Sequence, residues 1–153
     1  MVHVGQARDR SGPWFLGWCR ALGQGDQPPA AFDNLAPDSD GYLWVKQDKY
    51  QESFCQDLPD SEARVMAVTQ KAPLASTFGD TITNPAWRKK PCWYQISTED
   101  RMIHPDNERR MVQRMNPRKT IELPASHASL ASHPGQIAGL IDEAVRELRP
   151  SFN

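Results

Sequence analysis

Asp100, in T-E-D-R, and His127, in P-A-S-H, are the two side chains of this sequence whose types and placement could do chemistry together. A carboxylate hydrogen-bonded to an imidazole fixes the ring's tautomer and stabilises the imidazolium formed when the ring acts as a general base. The stretch from Cys92 to His127 would bring them together. Cys92–Ser97 has strand composition, Pro105-Asp106 opens a helix running to about Met115, and Thr120–Leu123 makes a second strand. A β-α-β unit of this kind closes with a right-handed connection and sets its strands parallel. The loops leaving their carboxyl ends then share one edge of the sheet, where open α/β folds place their chemistry. Asp100 follows the first strand and His127 the second. Read by pattern alone, both are more simply ordinary loop residues, and Glu99 is a rival acid whose side chain points to the opposite side of the chain.

The elements that must position this pair differ in clarity along the chain. Residues 1–40 form a poorly patterned, irregular leader with scattered Gly, Pro, Asp and Gln and one aromatic island, Trp14-Phe15-Leu16-Gly17-Trp18. Gly12, Pro13, Gly17 and Gly23 discourage a helix there, and the run Gln27–Asp40 reads as loop. Residues 41–153 carry the ordered part. Tyr42–Val45 has strand composition; Asp48 and Gln51 stand in capping-box positions for a short helix with Tyr50 and Phe54 at i, i+4 spacing. A second helix starts near Pro59, with Asp60 and Glu62 favourable in its first turn and Ala63, Met66 and Ala67 along one face. Leu74–Lys90 mixes a turn of helix with loop, and Trp87-Arg88-Lys89-Lys90 reads as a solvated face. Between the two strands, Met111, Val112 and Met115 supply the helix's apolar stripe. Pro134 opens the last helix, in which Ile137, Leu140, Ile141, Ala144, Val145 and Leu148 make a strong amphipathic pattern.

Composition limits the function classes. The 153 residues form one domain by length, with a net charge of −1 and 24% charged residues, which points to neither a nucleic-acid nor a membrane-surface partner. The 13 prolines and a mean hydropathy of −0.67 are polar for a compact enzyme. Three cysteines, Cys19, Cys55 and Cys92, fit reduced thiols better than a disulfide framework. No run reaches membrane-spanning length and the charged start lacks a signal peptide's apolar core, so the expected location is cytoplasmic. His104 and His133 each precede a proline at a helix start, His3 lies in the leader, and no histidine or cysteine pair has metal-ligand spacing; neither a metal nor another cofactor is expected.

From about Tyr42 to Leu148 the sequence resembles the carboxyl-terminal half of α/β-hydrolases, in the branch that includes methylesterases and hydroxynitrile lyases. The resemblance rests on D-L-P-D-S-E-A-R-V-M-A-V-T-Q-K-A-P-L (57–74), P-A-W-R-K-K-P-C-W-Y-Q-I-S-T-E-D-R (85–101) and P-A-S-H-A-S-L-A-S-H-P (124–134). It implies a partial α/β-hydrolase fold: lid helices over a pocket, then the last two parallel strands with their helices. It also implies that Asp100 is the acid and His127 the base of a Ser-His-Asp triad, in the family's Ser…Asp…His order. The lyase members place a lysine directly after the histidine; Ala128 stands here, which turns the implied activity towards carboxylic-ester hydrolysis.

The larger departure is the nucleophile. No G-x-S-x-G occurs in the sequence, and residues 1–40 do not resemble the family's earlier strands, oxyanion-hole loop or nucleophile elbow. Ser126 and Ser129 are too local to His127 to serve, Ser11 lacks the strand-turn-helix setting, and the three cysteines have no electropositive neighbourhood. Two expectations follow. One is an esterase-type hydrolase that carries acid and base for a small-molecule ester and takes its serine from outside this chain, the isolated chain being inactive. The other is a truncated, non-catalytic remnant or interaction module that self-associates through an unpaired strand edge.

Overall fold

Two parallel strands joined by a helix stand where the chemical pair requires them. The computed structural model describes residues 26–149, so His3, Ser11, the aromatic island and Cys19 lie outside the described residues. Strand β3 (Trp93–Ser97) and strand β4 (Lys119–Leu123) pair in parallel from Trp93 opposite Lys119 to Ser97 opposite Leu123. Helix α3 (Pro105–Met115) makes the crossover between them. Pro105 occupies the first turn, where its missing N–H costs nothing, and the His104 ring accepts the Asp106 N–H at 3.2 Å. The helix stops at Asn116, whose left-handed φ of 47° lets its N–H reach the Val112 carbonyl.

Before this unit lies a second, helical and hairpin part. Strand β1 (Leu35–Pro37) and strand β2 (Leu43–Val45) pair antiparallel. The run Gln27–Asp40, read from sequence as loop, therefore holds a strand, preceded by a 3-10 turn at Phe32–Asn34. Its three-residue length and its proline hid it. The hairpin loop is closed by Asp38, whose Oδ1 accepts the Asp40 and Tyr42 N–H groups while Oδ2 accepts the Trp44 indole N–H. Gly41 there has φ +84°, a conformation that a side chain would strain. Because β2 pairs with β1, it does not cover the edge of β3.

Helix α1 (Tyr50–Phe54) stacks the Tyr50 and Phe54 rings with centroids 5.1 Å apart, as the i, i+4 spacing predicts. The expected capping box is not formed. Asp48 sits in a preceding 3-10 turn, Lys49 is the cap residue, and the Gln51 amide instead donates to the Leu58 carbonyl at 3.0 Å. Helix α2 (Asp60–Thr69) buries Ala63 and Ala67, small side chains that permit close approach to the elements beneath it. The core gathers Leu35, Leu43, Val45, Tyr50, Leu58 and these alanines, and it reaches the His127 loop through Ala128.

Two apolar patterns came out differently from their periodicity. In α3 the fully buried side chains are Asn107 and Glu108, while Met111, Val112 and Met115 are only half-buried. After the short helix α4 (Ser129–Ser132), helix α5 (Pro134–Leu148) buries no residue at all. Its amphipathic stripe leaves Ile141 56%, Val145 46% and Leu148 55% exposed, because among the described residues a sheet of two strands offers little surface to cover fifteen residues of helix. Among the described residues, no helix is long and apolar enough to cross a membrane.

Gln70 ties α2 to the hairpin: its amide donates to the Val45 carbonyl at 2.9 Å and the Ala67 carbonyl at 3.0 Å, and its oxygen accepts the Val45 N–H at 3.1 Å. Gln70→Ala leaves both backbone groups of buried Val45 without these partners and is expected to lower stability by about 1–3 kcal/mol. Urea unfolding checks this: the midpoint should fall with an unchanged slope, and a loss under about 0.5 kcal/mol would show the bridge to be dispensable.

Candidate active site

The acid loop begins where β3 ends. Asp100 N–H bonds back to the Ser97 carbonyl at 3.2 Å, which turns the chain and aims the carboxylate at the neighbouring loop. One carboxylate oxygen, Oδ1, accepts the N–H groups of Met102 at 2.6 Å and Ile103 at 2.9 Å. The other, Oδ2, lies 2.7 Å from His127 Nδ1. Since a carboxylate only accepts, the Nδ1–H donates, and Nε2 keeps its lone pair. The Asp100 side chain is 2% exposed and that of His127 29%, so the acid is sealed and the ring is open on one side. Phe54 meets the His127 ring edge to face, with centroids 4.7 Å apart.

The base loop is held as firmly. After β4, the Ala125 N–H closes a tight turn on the Leu123 carbonyl, and the Ala125 carbonyl accepts the Glu99 N–H of the acid loop. Ser126 Oγ accepts the Ala128 N–H at 3.0 Å, so the histidine sits inside a local hydrogen-bonded turn. Two adjacent residues between α1 and α2 then tie both loops together. Gln56 donates to the Glu99 carbonyl at 2.7 Å, and Asp57 accepts the Ser126 N–H at 2.9 Å. Burial pushes the Asp57 carboxyl up, but hydrogen bonds from the Ser126 side chain and backbone and from Ser132 outweigh it, leaving the group below its ordinary value.

Asp100, not Glu99, therefore meets the histidine; Glu99 is exposed. The remaining sequence candidates are occupied elsewhere. Ser129 donates to the Gln95 side chain at 2.8 Å, and Ser126 is fully buried in its turn. Cys55 is fully buried, and burial, with the charge of Asp57 as a second cause, pushes its thiol up, away from thiolate chemistry. His133 bonds its neighbour Ser132, and His104 caps α3. Among the described residues, no hydroxyl or thiol is hydrogen-bonded to the His127 ring, and no cluster of His, Cys, Asp and Glu could hold a metal ion.

His127 opens onto a cavity of about 470 Å³. Its walls are mostly apolar, with Leu35, Val45, Phe54, Phe78, Met102 and Met111 among them. The hairpin faces the end of the acid loop and the first turns of α3 across it. Nothing in the local sequence pattern foretold this space, since its lining is drawn from segments far apart in the chain.

Close to Asp100 lies a second buried carboxyl that the sequence pattern also gave no reason to single out. Glu108 of α3 is 5% exposed, and its Oε2 accepts the Ser97 N–H at 3.1 Å. Burial raises it to about 7, opposed by the Ser97 hydrogen bond and assisted by the charge of Asp100 and a hydrogen bond to it. Tyr94, on the strand beneath, is pushed up to about 12 by burial and by the charges of Glu108 and Asp100.

The sequence matches the family described as Alpha/beta hydrolase family over residues 6–140, a stretch that begins well before Tyr42. Among solved structures, it is similar to the pyrethroid hydrolase PytH crystallised with BIF, with a TM-score of 0.56 and 23% identity. A pyrethroid hydrolase from Sphingobium faniae JZ-2 aligns with a TM-score of 0.55 and 21% identity. In both alignments 83% of this chain is covered against 53% of the other, so the chain spans about half the length of these structures. These likenesses establish the fold, that of part of an α/β-hydrolase. No curated protein matches the sequence.

The raised Glu108 carboxyl makes stability depend on pH. Between its ordinary value of 4.5 and about 7 the folded chain holds a proton that the unfolded chain has released. Its stabilising contribution is therefore full below that window and lost as pH rises through it. The melting temperature should fall from about pH 5 to about pH 8, and Glu108→Gln should flatten that slope. Parallel slopes in the two proteins would refute the assignment.

Proposed function

The chain belongs to the alpha/beta hydrolase family, and from that premise we propose a carboxylic-ester hydrolase in which Asp100 is the acid and His127 the general base. The observation that carries this reading is the 2.7 Å contact between His127 Nδ1 and Asp100 Oδ2, with the other side of the ring open to an apolar cavity. In ester cleavage, Nε2 takes the proton of a nucleophilic hydroxyl as that oxygen attacks the acyl carbon. Asp100 stabilises the resulting imidazolium, which then gives the proton to the departing alkoxide. Water repeats the same exchange to release the acid and restore the hydroxyl. The nucleophile and oxyanion hole come from outside these 153 residues, which contain no G-x-S-x-G.

Among family branches, the methylesterase and hydroxynitrile-lyase type fits the motifs at 57–74, 85–101 and 124–134, and Ala128 after the histidine favours the ester side. The apolar walls suit a small-molecule ester with an apolar acyl or alcohol part, and structures of pyrethroid hydrolases as neighbours are in keeping with a hydrolase. A second reading has its own support. Among the described residues the outer edge of β3 is unpaired and the apolar stripe of α5 is exposed, features of a module that associates with a second copy.

The isolated chain is expected to hydrolyse p-nitrophenyl esters negligibly; robust turnover abolished by His127→Ala would reveal a nucleophile within it. Fused behind a segment that carries G-x-S-x-G, the chain should gain hydrolysis that His127→Ala or Asp100→Asn lowers about a thousandfold or more. Insensitivity of that activity to both changes would sink the acid-and-base assignment. Light scattering separates the second reading, since a stable, monodisperse monomer counts against self-association.

A further inference from the structure

Asp100 has more holders than a bare acid-histidine pair requires. Its two oxygens offer about four lone-pair positions. Three are used by the Met102 and Ile103 N–H groups and the His127 Nδ1–H. Every one of those donors belongs to the acid loop or the base loop, so none fixes the carboxylate to the sheet. Glu108 does, because it touches both. Its Oε2 accepts the N–H of Ser97, the last residue of β3, whose carbonyl accepts the Asp100 N–H, and its buried carboxyl is raised by the charge of Asp100 and by a hydrogen bond to it. Two carboxyls in buried contact need a proton between them, since two negative charges there would repel without solvent to screen them.

Among the described residues, the surroundings supply no cation paired with Glu108 that would remove this need. Tyr94 faces Glu108 from β3 as a neutral phenol whose hydroxyl donates towards Met111 Sδ at 3.6 Å. On the helix itself, Arg109 is turned outward, paired with Asp106 at 3.0 Å and with Glu122 at 2.8 Å. His127, across Asp100, favours an ionised Glu108 when it carries a charge of its own.

We propose that Glu108 is a positioning residue for the acid: as a neutral carboxylic acid it donates its proton to Asp100 while accepting the Ser97 N–H. This bond docks the Asp100 carboxylate onto the end of β3 and holds Oδ2 in line with His127 Nδ1. It leaves one negative charge, on Asp100, shared between an acid and a base. When Glu108 loses its proton the bond is lost and a second negative charge appears beside Asp100. The pair then loosens. The inference rests on the reading of Asp100 and His127 as acid and base.

Nuclear magnetic resonance on the whole chain tests this without turnover, so its outcome is independent of whether the chain hydrolyses esters. The wild-type Glu108 side-chain carboxyl carbon should titrate near neutral pH, and the His127 Nδ1 proton resonance should move with it. Titration of Glu108 near its ordinary value of 4.5 would overturn the proposal in the wild type alone. Glu108→Gln, whose amide donates to Asp100 and whose carbonyl accepts from Ser97, should keep the His127 Nδ1 resonance and remove that pH dependence. Glu108→Ala should speed exchange of the Nδ1 proton about tenfold, as loss of one charge-assisted hydrogen bond predicts. A Gln variant that still shows the wild-type pH dependence, or an Ala variant with wild-type exchange, would refute it; should the Ala variant fail to fold, the wild-type titration and the Gln variant decide.

Discussion

The site depends on a hydrogen-bonded frame in which two loops, each anchored to a parallel strand, are pinned to one another. Register sets the first condition: Ser97 lies opposite Leu123, so the acid and base loops leave the sheet level with each other. The second is the pair Gln56 and Asp57, which bonds to the Glu99 carbonyl on one side and the Ser126 N–H on the other. These are backbone groups, so the frame fixes the main chain of both loops and leaves the Asp100 and His127 side chains one mutual geometry. A charge-assisted contact of 2.7 Å survives only where both partners are held this way, because loose loops would lose it to water.

The hydrophobic core cluster sits in the hairpin and in α1 and α2, not against the sheet of β3 and β4. Ala128 belongs to that cluster, and the Phe54 carbonyl accepts its N–H, so packing of the front part is transmitted directly to the histidine loop. The same part supplies most of the apolar cavity wall. On the proposed reading, it both shapes the ester pocket and holds the base, which couples substrate fit to the geometry of proton transfer.

Helix α3 has an inverted character that follows from its place. It lies behind the acid loop, and its inward residues are Asn107 and Glu108. Asn107 accepts the Gln27 N–H at 2.9 Å and donates to the Gln27 carbonyl at 2.7 Å, while Arg110 pairs with Asp26 at 2.6 Å. These contacts strap the segment from Asp26 beside the cavity. Buried polar side chains are tolerated only with such partners, and the partner of Asn107, Gln27, lies 80 residues away in sequence. Helix α5 shows the opposite mismatch, an apolar stripe at ideal spacing that remains open because the sheet beside it has two strands among the described residues.

What the sequence determined by itself was local. Strand composition at Trp93–Ser97, the Pro105 start of α3, the i, i+4 aromatic pair of α1 and the Pro134 start of α5 all follow from propensity, caps and periodicity within a few residues. Chain order and parallel pairing then sufficed to bring Asp100 towards His127, because right-handed crossovers leave little choice. The tertiary structure decided everything that needs a partner from afar. The three-residue strand β1 exists only because β2 lies beside it, and the expected cap at Asp48 gave way because Gln51 found the Leu58 carbonyl. The clamp at Gln56 and Asp57, the walls of the cavity and the burial of Glu108 have the same cause. A hydrogen bond's worth and a carboxyl's proton are set by the groups folded against them, and no period along the chain encodes those groups.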